Sequence, residues 1–317
     1  MKIGLDVMGG DFAPRAVIEG AIDVLPLLGE GERIVLIGDE RQILEQLKEQ
    51  SGNPDDFDIV HTTQVIGMAD HPAKAFSQKR DSSIAVGFGM LKSGLIDGFA
   101  SAGNTGAMLV GASYTVNVIP GIFRPALATL VPSLSGKASI ILDVGINPDT
   151  KPDVLLQYGI LGSMYAKHVL GIPNPTVALI NIGEEETKGS SAVRSAYELM
   201  KDSSDINFTG NVEGNYLFGD SMPDVLVCDG FVGNVIIKEA EAFYNICRNL
   251  NLNDPFIERF NFENIGGTPV IGINGNVVIG HGISGRNAIK SMILETIRVV
   301  SADLANKIKL TLSNGKD

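Results

Sequence analysis

Short apolar runs alternate with longer stretches whose apolar positions recur at helical spacing, from one end of the chain to the other. Residues 2–7, 33–37, 57–61 and 97–101 read as strands, separated by helices over 15–28, 40–50 and 82–93. Pro14 stands just before the first of these helices, where its missing N–H leaves no helical bond unmade. Further helices are predicted over 107–118, 152–170, 190–201, 233–250 and 288–308, and further strands at 126–131, 139–144, 176–182, 224–228 and 277–279. Only the polar turn 133–137 separates two of those strands, which predicts an antiparallel hairpin. Elsewhere strand and helix alternate, the pattern of an α/β protein with a mostly parallel sheet wrapped by helices. Ligands of such sheets bind beyond the carboxyl ends of the strands.

Glycine- and polar-rich loops fall at those ends, at 6–11, 101–106, 143–147, 181–189, 229–234 and 280–285. The one with the clearest form lies in residues 97–108, DGFASAGNTGAM: a strand, a turn of Gly103, Asn104, Thr105 and Gly106, and a helix start. Glycines let backbone approach a ligand closely, and the free N–H groups of a helix start suit phosphate. The same turn would equally serve as a plain connector. Asp6, Gly9, Gly10 and Asp11 form the loop after the first strand, where the two carboxylates suit the orienting of loop amides better than proton transfer.

Lys188 sits in NIGEEETKGSS, beside Glu184, Glu185 and Glu186. It reads either as part of a solvated loop or as a mobile cation for phosphate or a developing oxyanion. Asn234 follows Gly233 and reads either as a helix N-cap or as an amide donor to a carbonyl oxygen. His281, in GHG, is the histidine placed in a strand-end loop, and a satisfied structural group is its ordinary role. No Gly-x-Ser-x-Gly elbow, metal-type His or Cys pair, or dinucleotide Gly-x-Gly-x-x-Gly is present, so covalent serine chemistry, metal and hydride transfer lose ground. No metal and no organic cofactor are expected.

The 317 residues, 44% hydrophobic and 20% charged, allow about two domains or one large α/β domain. With no linker or repeat visible, a single domain over 1–317 is expected, with two lobes and a cleft between them. A formal charge of −12 argues against a nucleic-acid surface. The charge is uneven, +1 over residues 231–317 and −13 before them, so an acidic protein partner meets less repulsion on the C-terminal part. Two cysteines without metal spacing, a start lacking an apolar run, and no apolar stretch of about 20 residues suggest a soluble cytoplasmic protein.

Eight motifs in order then carry a resemblance: LDVMGGDFAP (5–14), SAGNTGAM (101–108), IPGIFRPAL (119–127), LDVGIN (142–147), NIGEEETKG (181–189), DGFVGNV (229–235), GGTPVIGING (266–275) and GHGISG (280–285). The chain resembles the bacterial phosphate acyltransferases along nearly its whole length. The resemblance implies an α/β/α sandwich of the isocitrate/isopropylmalate dehydrogenase-like type and a homodimer. It implies acyl-acyl-carrier-protein (acyl-ACP) and inorganic phosphate as substrates. The acyl phosphate would pass to a membrane glycerol-3-phosphate acyltransferase in phospholipid synthesis. By the same resemblance a catalytic lysine falls on Lys188 and a catalytic asparagine on Asn234. The chain departs from the family at Ile283, where a serine often stands, and in the short interval 240–265, where many members carry a long amphipathic insertion. That makes peripheral membrane association through a partner a better expectation than direct docking.

Phosphate is already anionic near neutral pH and a thiolate leaves readily, so the reaction needs positioning and oxyanion donors more than a base. The expectation is phosphate on the amides of Gly103, Asn104, Thr105 and Gly106 with Lys188, and Asn234 on the thioester carbonyl. Met108, Val110 and the aromatics of 243–260 are candidates for an acyl groove, and Lys238, Arg286 and Lys290 for meeting the carrier. The competing classes are an enzyme of the same fold using a coenzyme A thioester or oxidising a hydroxy acid, and a non-catalytic acyl-ACP-binding scaffold.

Overall fold

The computed structural model describes residues 1–314. It falls into two compact units, one of Met1–Val118 with Phe262–Ala305, the other of Ile119–Asn261 with the chain from Asn306. Along the first segment run β1 (Lys2–Asp6), α1 (Arg15–Val24), β2 (Arg33–Gly38), α2 (Glu40–Glu49), β3 (Asp58–His61), α3 (Pro72–Gln78), α4 (Ser83–Lys92), β4 (Gly98–Ser101) and α5 (Thr105–Gly111). The second unit holds β5 (Ala126–Pro132), β6 (Ala138–Leu142), α6 (Pro152–His168), β7 (Thr176–Asn181), α7 (Ser191–Lys201), β8 (Asn207–Glu213), β9 (Val225–Val227), α8 (Gly230–Asn249) and α9 (Pro255–Glu258). The chain then adds α10 (Phe262–Ile265), β10 (Thr268–Ile271), β11 (Asn276–Ile279), α11 (Arg286–Ser301) and α12 (Leu304–Asn314).

In the first unit the strand order is β3-β2-β1-β4-β11-β10, parallel except for β10, which runs antiparallel to β11. Alternation along each strand divides the side chains between two faces. Leu5, Val7, Ala100 and Val278 join Ile18 of α1 and Ile289 and Met292 of α11 in one buried cluster. Gly4 lies on the other face, where a Cβ would meet Ile96 and Phe99. Phe99 packs edge-on against Phe88 of α4, with ring centroids 5.1 Å apart. Strands buried on both faces read as nearly continuous apolar runs, which is how β1 and β2 read.

The second unit is ordered β5-β6-β9-β7-β8, and here the expected hairpin is found: β5 pairs antiparallel with β6, Thr129 opposite Ile141, while the other pairs are parallel. Ile141, Ala178, Leu226 and Cys228 form one buried face under Val232, Ile236 and Ile237 of α8. On the opposite face α6 comes so close that a Cβ on Gly162 would stand 2.4 Å from Val225.

Some elements differ from expectation. Strands β8 and β10 and helices α3, α9 and α10 are additional to the elements that the sequence predicts. The helix expected over 107–118 is a short α5 continued by a π turn, Ala112–Asn117. The closing helix breaks between α11 and α12, where Asp303 adopts a φ of 51°. Among the described residues no helix is long and apolar enough to cross a membrane.

Candidate active site

Strand register sorts the polar loops into two sets, one in each unit. In the first unit Leu5 lies beside Ala100, and Ser101 beside Ile279, so the loops after β1, β4 and β11 leave the sheet together. In the second unit Leu142 and Leu179 both flank Val227, which gathers the loops after β6, β7 and β9.

The first set is stitched by a buried carboxylate. Asp6, 1% exposed, accepts the Met8 N–H at 3.0 Å and the Ser101 hydroxyl at 2.6 Å. Ser101 in turn accepts the Gly103 N–H at 2.9 Å. Burial pushes the Asp6 carboxyl above its ordinary value, against hydrogen bonds from Ser101, Ser83 and the loop amides that pull it down. The loops touch so closely that a Cβ on Gly9 would stand 2.3 Å from Asp6 Oδ2 and 2.7 Å from the Gly103 nitrogen. Gly10 has a φ of 105°, which glycine alone adopts without strain. The Asp11 N–H donates to the Gly282 carbonyl at 2.7 Å, joining the first loop to the one that holds His281, and Ser284 N–H donates to the His281 carbonyl. Asp6 and Ser101 therefore hold loop amides in place, and Asp11 does so through its own backbone.

Asn104 caps α5. Its Oδ1 accepts the Ala107 N–H at 3.0 Å, while its Nδ2 reaches the carbonyls of Gly67, Met68 and Asp70 at 3.0–3.2 Å. Two of the expected phosphate ligands are altered by this geometry. The Gly103 N–H is spent on Ser101, and the Asn104 side chain on the helix cap and the 67–70 segment. The amides of Thr105 and Gly106 stand at the first two helical positions, where no intrahelical acceptor exists.

In the second unit Asp143 plays the part that Asp6 plays in the first. It is fully buried and accepts the N–H groups of Leu127 (3.0 Å) and Asn147 (2.6 Å) and the Asn147 side chain (3.1 Å). Burial again raises the carboxyl, and the amides oppose the rise. Next to this loop, α8 begins three residues earlier than expected. Asp229, whose side chain accepts the Val232 N–H at 2.8 Å, is the N-cap. The N-cap reading of Asn234 is thereby overturned: Asn234 lies in the second turn of α8, exposed. Its amide nitrogen stands 3.6 Å from where a Cβ of Gly145 would be, and both line an open groove of about 390 Å³ with Pro148, Gly230, Phe231 and Val235. Phe231 and Val235 are 64% and 46% exposed, so the groove joins one amide to an apolar wall, with the charged Lys238 and Glu239 also on its lining.

Lys188 lies in the loop after β7. Its side chain is 47% exposed and 3.9 Å from Glu185, a loose surface pair that leaves the ammonium mobile. Glu186 is committed to Lys201 at 2.8 Å. The backbone around Lys188 is fixed, since Asn181 Nδ2 donates to its carbonyl and its own N–H donates to Glu185.

Other expectations are corrected. Met108 is fully buried core. Phe256 and Phe260 pack edge-on with each other and with Phe218, and Arg259 donates to the Ser133 carbonyl, so that part of 243–260 is a local core. Lys238 is paired with Glu241 at 2.7 Å, and Arg286 is held by both oxygens of Asp23. Among the described residues no three His, Cys, Asp or Glu side chains converge as a metal-binding set. Ser101 and Asn147, which hold these loops, have roles that the sequence pattern does not show, although both lie inside the motifs named above.

Residues 1–307 match the family model described as fatty acid synthesis protein. The chain is 40% identical over 336 residues to a phosphate acyltransferase of Desulforamulus reducens, covering all of this chain and 98% of the relative. It is 42% identical over 310 residues to one of Caldicellulosiruptor bescii, covering 92% of each. Among solved structures, a phosphotransacetylase from Streptococcus pyogenes superposes with a TM-score of 0.68 at 17% identity, over 96% of this chain and 94% of that one. A branched-chain phosphotransacylase from Enterococcus faecalis gives 0.64 at 13% identity, over 95% and 99%. These two share the fold.

Proposed function

The chain belongs to the phosphate acyltransferases, and from that premise we propose that it makes acyl phosphate from inorganic phosphate and a long-chain acyl-ACP. A phosphate oxygen attacks the thioester carbonyl, and a tetrahedral oxyanion forms. The C–S bond then breaks, leaving the carrier thiolate, which takes up the proton that phosphate loses. No side-chain nucleophile is needed, because phosphate is itself the nucleophile and the thiolate a good leaving group. Acyl transfer with phosphate in fatty acid and phospholipid synthesis is what the family supports, and the acyl-ACP donor is the proposal's own step.

The observation that carries the reading is the exposed Asn234 amide on the rim of a groove walled by Phe231 and Val235. A carbonyl that gains negative charge needs a hydrogen-bond donor, and an acyl chain needs apolar wall beside it. Asn234 is assigned as the donor to the thioester oxygen. Lys188 supplies mobile positive charge to phosphate. The Thr105 and Gly106 amides are assigned to phosphate oxygens, with Asp6, Gly9, Gly10, Asp11, Gly103 and Asn104 shaping that loop and His281 beside it. A homodimer, acting in the cytoplasm and handing acyl phosphate to a membrane glycerol-3-phosphate acyltransferase, completes the proposal.

Incubation with palmitoyl-ACP, with and without phosphate, tests it by mass detection of palmitoyl phosphate. Product only with phosphate supports the reading. Equal turnover of palmitoyl-CoA would replace the donor, and absence of phosphate-dependent product would leave an acyl-carrier-binding scaffold.

A further inference from the structure

The motif IPGIFRPAL has no role in the chemistry above, yet its arginine is unusually placed. Asn147 is 4% exposed and every polar atom of it is engaged. Its N–H donates to Asp143, its carbonyl accepts the Gly230 N–H that opens α8 at 2.8 Å, and its Nδ2 donates to the Pro125 carbonyl, to Asp143 and to Tyr158 Oη. The remaining atom, Oδ1, accepts from Arg124 Nη1 at 3.4 Å. Arg124 thus makes one long hydrogen bond to a buried hub, and is itself an exposed residue. Among the described residues it has no carboxylate within ion-pair distance, unlike Lys238, Lys201 and Lys188 in the same unit. Asn147 lies between Gly145 and Pro148, both of which line the groove with Asn234.

An unpaired guanidinium on a fixed anchor in a chain of net charge −12 is suited to an anion that arrives from outside. Its planar fork matches phosphate oxygens in pairs, and anchoring one nitrogen lowers the entropy lost on binding. We infer that Arg124 is a substrate-binding residue that takes a phosphate group. This rests on the phosphate acyl transfer proposed above. The ligand chemistry is shared by inorganic phosphate and by the phosphate on the pantetheine arm of the thiol carrier.

Direct titration separates these sources without relying on turnover. Wild type, Arg124→Gln and Arg124→Lys are titrated calorimetrically with inorganic phosphate and with pantetheine 4′-phosphate, and the KM values for phosphate and palmitoyl-ACP are measured in parallel. Arg124→Gln is expected to weaken one of the two probes about tenfold or more, with Arg124→Lys intermediate, as for loss of a charge-assisted hydrogen bond. The KM of the matching substrate should rise with it. If inorganic phosphate weakens, Arg124 holds the nucleophile; if pantetheine 4′-phosphate weakens, it holds the carrier arm. Unchanged affinity for both probes in a variant with wild-type thermal unfolding overturns the inference. If Arg124→Gln fails to fold, the same criterion applies to Arg124→Lys, whose single ammonium cannot pair two oxygens in parallel. A wild type that binds a probe through Arg124 but forms no palmitoyl phosphate would sink the proposed reaction and leave the anion site standing.

Discussion

The Ser101 hydroxyl donates to the buried Asp6 carboxylate at 2.6 Å while accepting the Gly103 N–H at 2.9 Å. One hydroxyl thus couples the loop after β1 to the loop after β4, and a group with no exposed surface fixes the path of backbone that reaches solvent at Thr105.

The coupling has a pH signature. Burial raises the folded Asp6 carboxyl above its ordinary 3.8. The folded protein therefore keeps this proton to higher pH than the unfolded chain does, and the group's contribution is fully present below 3.8 and lost as pH rises through the folded value. Asn at position 6 cannot titrate. The stability of wild type minus that of Asp6→Asn, from urea unfolding, should decrease as pH rises above 3.8. A difference that is flat or rises with pH contradicts the assignment.

Two glycine substitutions should act in opposite directions. Gly9→Ala places a Cβ against Asp6 Oδ2 and the Gly103 backbone, neither of which is a flexible side-chain end. A loss of about 2 kcal/mol or more is expected, with impaired phosphate-dependent turnover. Gly89 lies exposed inside α4 with nothing within 4 Å of a Cβ. Gly89→Ala should stabilise by about 0.5–1 kcal/mol through helix propensity. Thermal or urea unfolding of the pair checks both.

Asn104 serves two ends of one amide, and two substitutions separate them. Asn104→Ser keeps a side-chain cap on α5 but loses the donors to Gly67, Met68 and Asp70. Asn104→Ala loses both. The alanine variant should be less stable than the serine variant by about 1 kcal/mol, the usual worth of a cap. Both should raise the KM for phosphate if the 67–70 segment must be pinned for the α5 amides to be in place. Unchanged KM in both would confine Asn104 to stability.

Periodicity exposed the strands that are buried on both faces, because β1, β2 and β7 are dense apolar runs. It did not expose β8, whose NFTGNVE is half polar and carries Gly210 at a φ of 100°, nor β10, four residues long with Pro269 inside it. The π turn after α5 keeps its apolar positions on the same face as an α-helix would, so spacing could not reveal it. The start of α8 was misplaced because DGFVGN offers two polar residues able to cap, and the register of Asp229 against Val232 decides between them only in three dimensions. The glycine loops were visible as loops, and the amide-orienting role expected of Asp6 is met, while the same role of Asp143 was not legible. Ser101 and Asn147 escaped notice because their roles depend on Asp6 and Asp143, distant in sequence or hidden within the same turn.

Lys188 and Asn234 decide the central claim. Release of carrier thiol from palmitoyl-ACP is followed as phosphate is varied, for wild type, Lys188→Ala and Asn234→Ala, each checked for wild-type thermal unfolding. Both side chains are exposed and neither carries the core, so the variants should fold. Phosphate-dependent release should fall on the order of 100-fold in Asn234→Ala, as when an oxyanion donor is removed, and comparably in Lys188→Ala. Near-normal phosphate-dependent release in both folded variants would contradict the account.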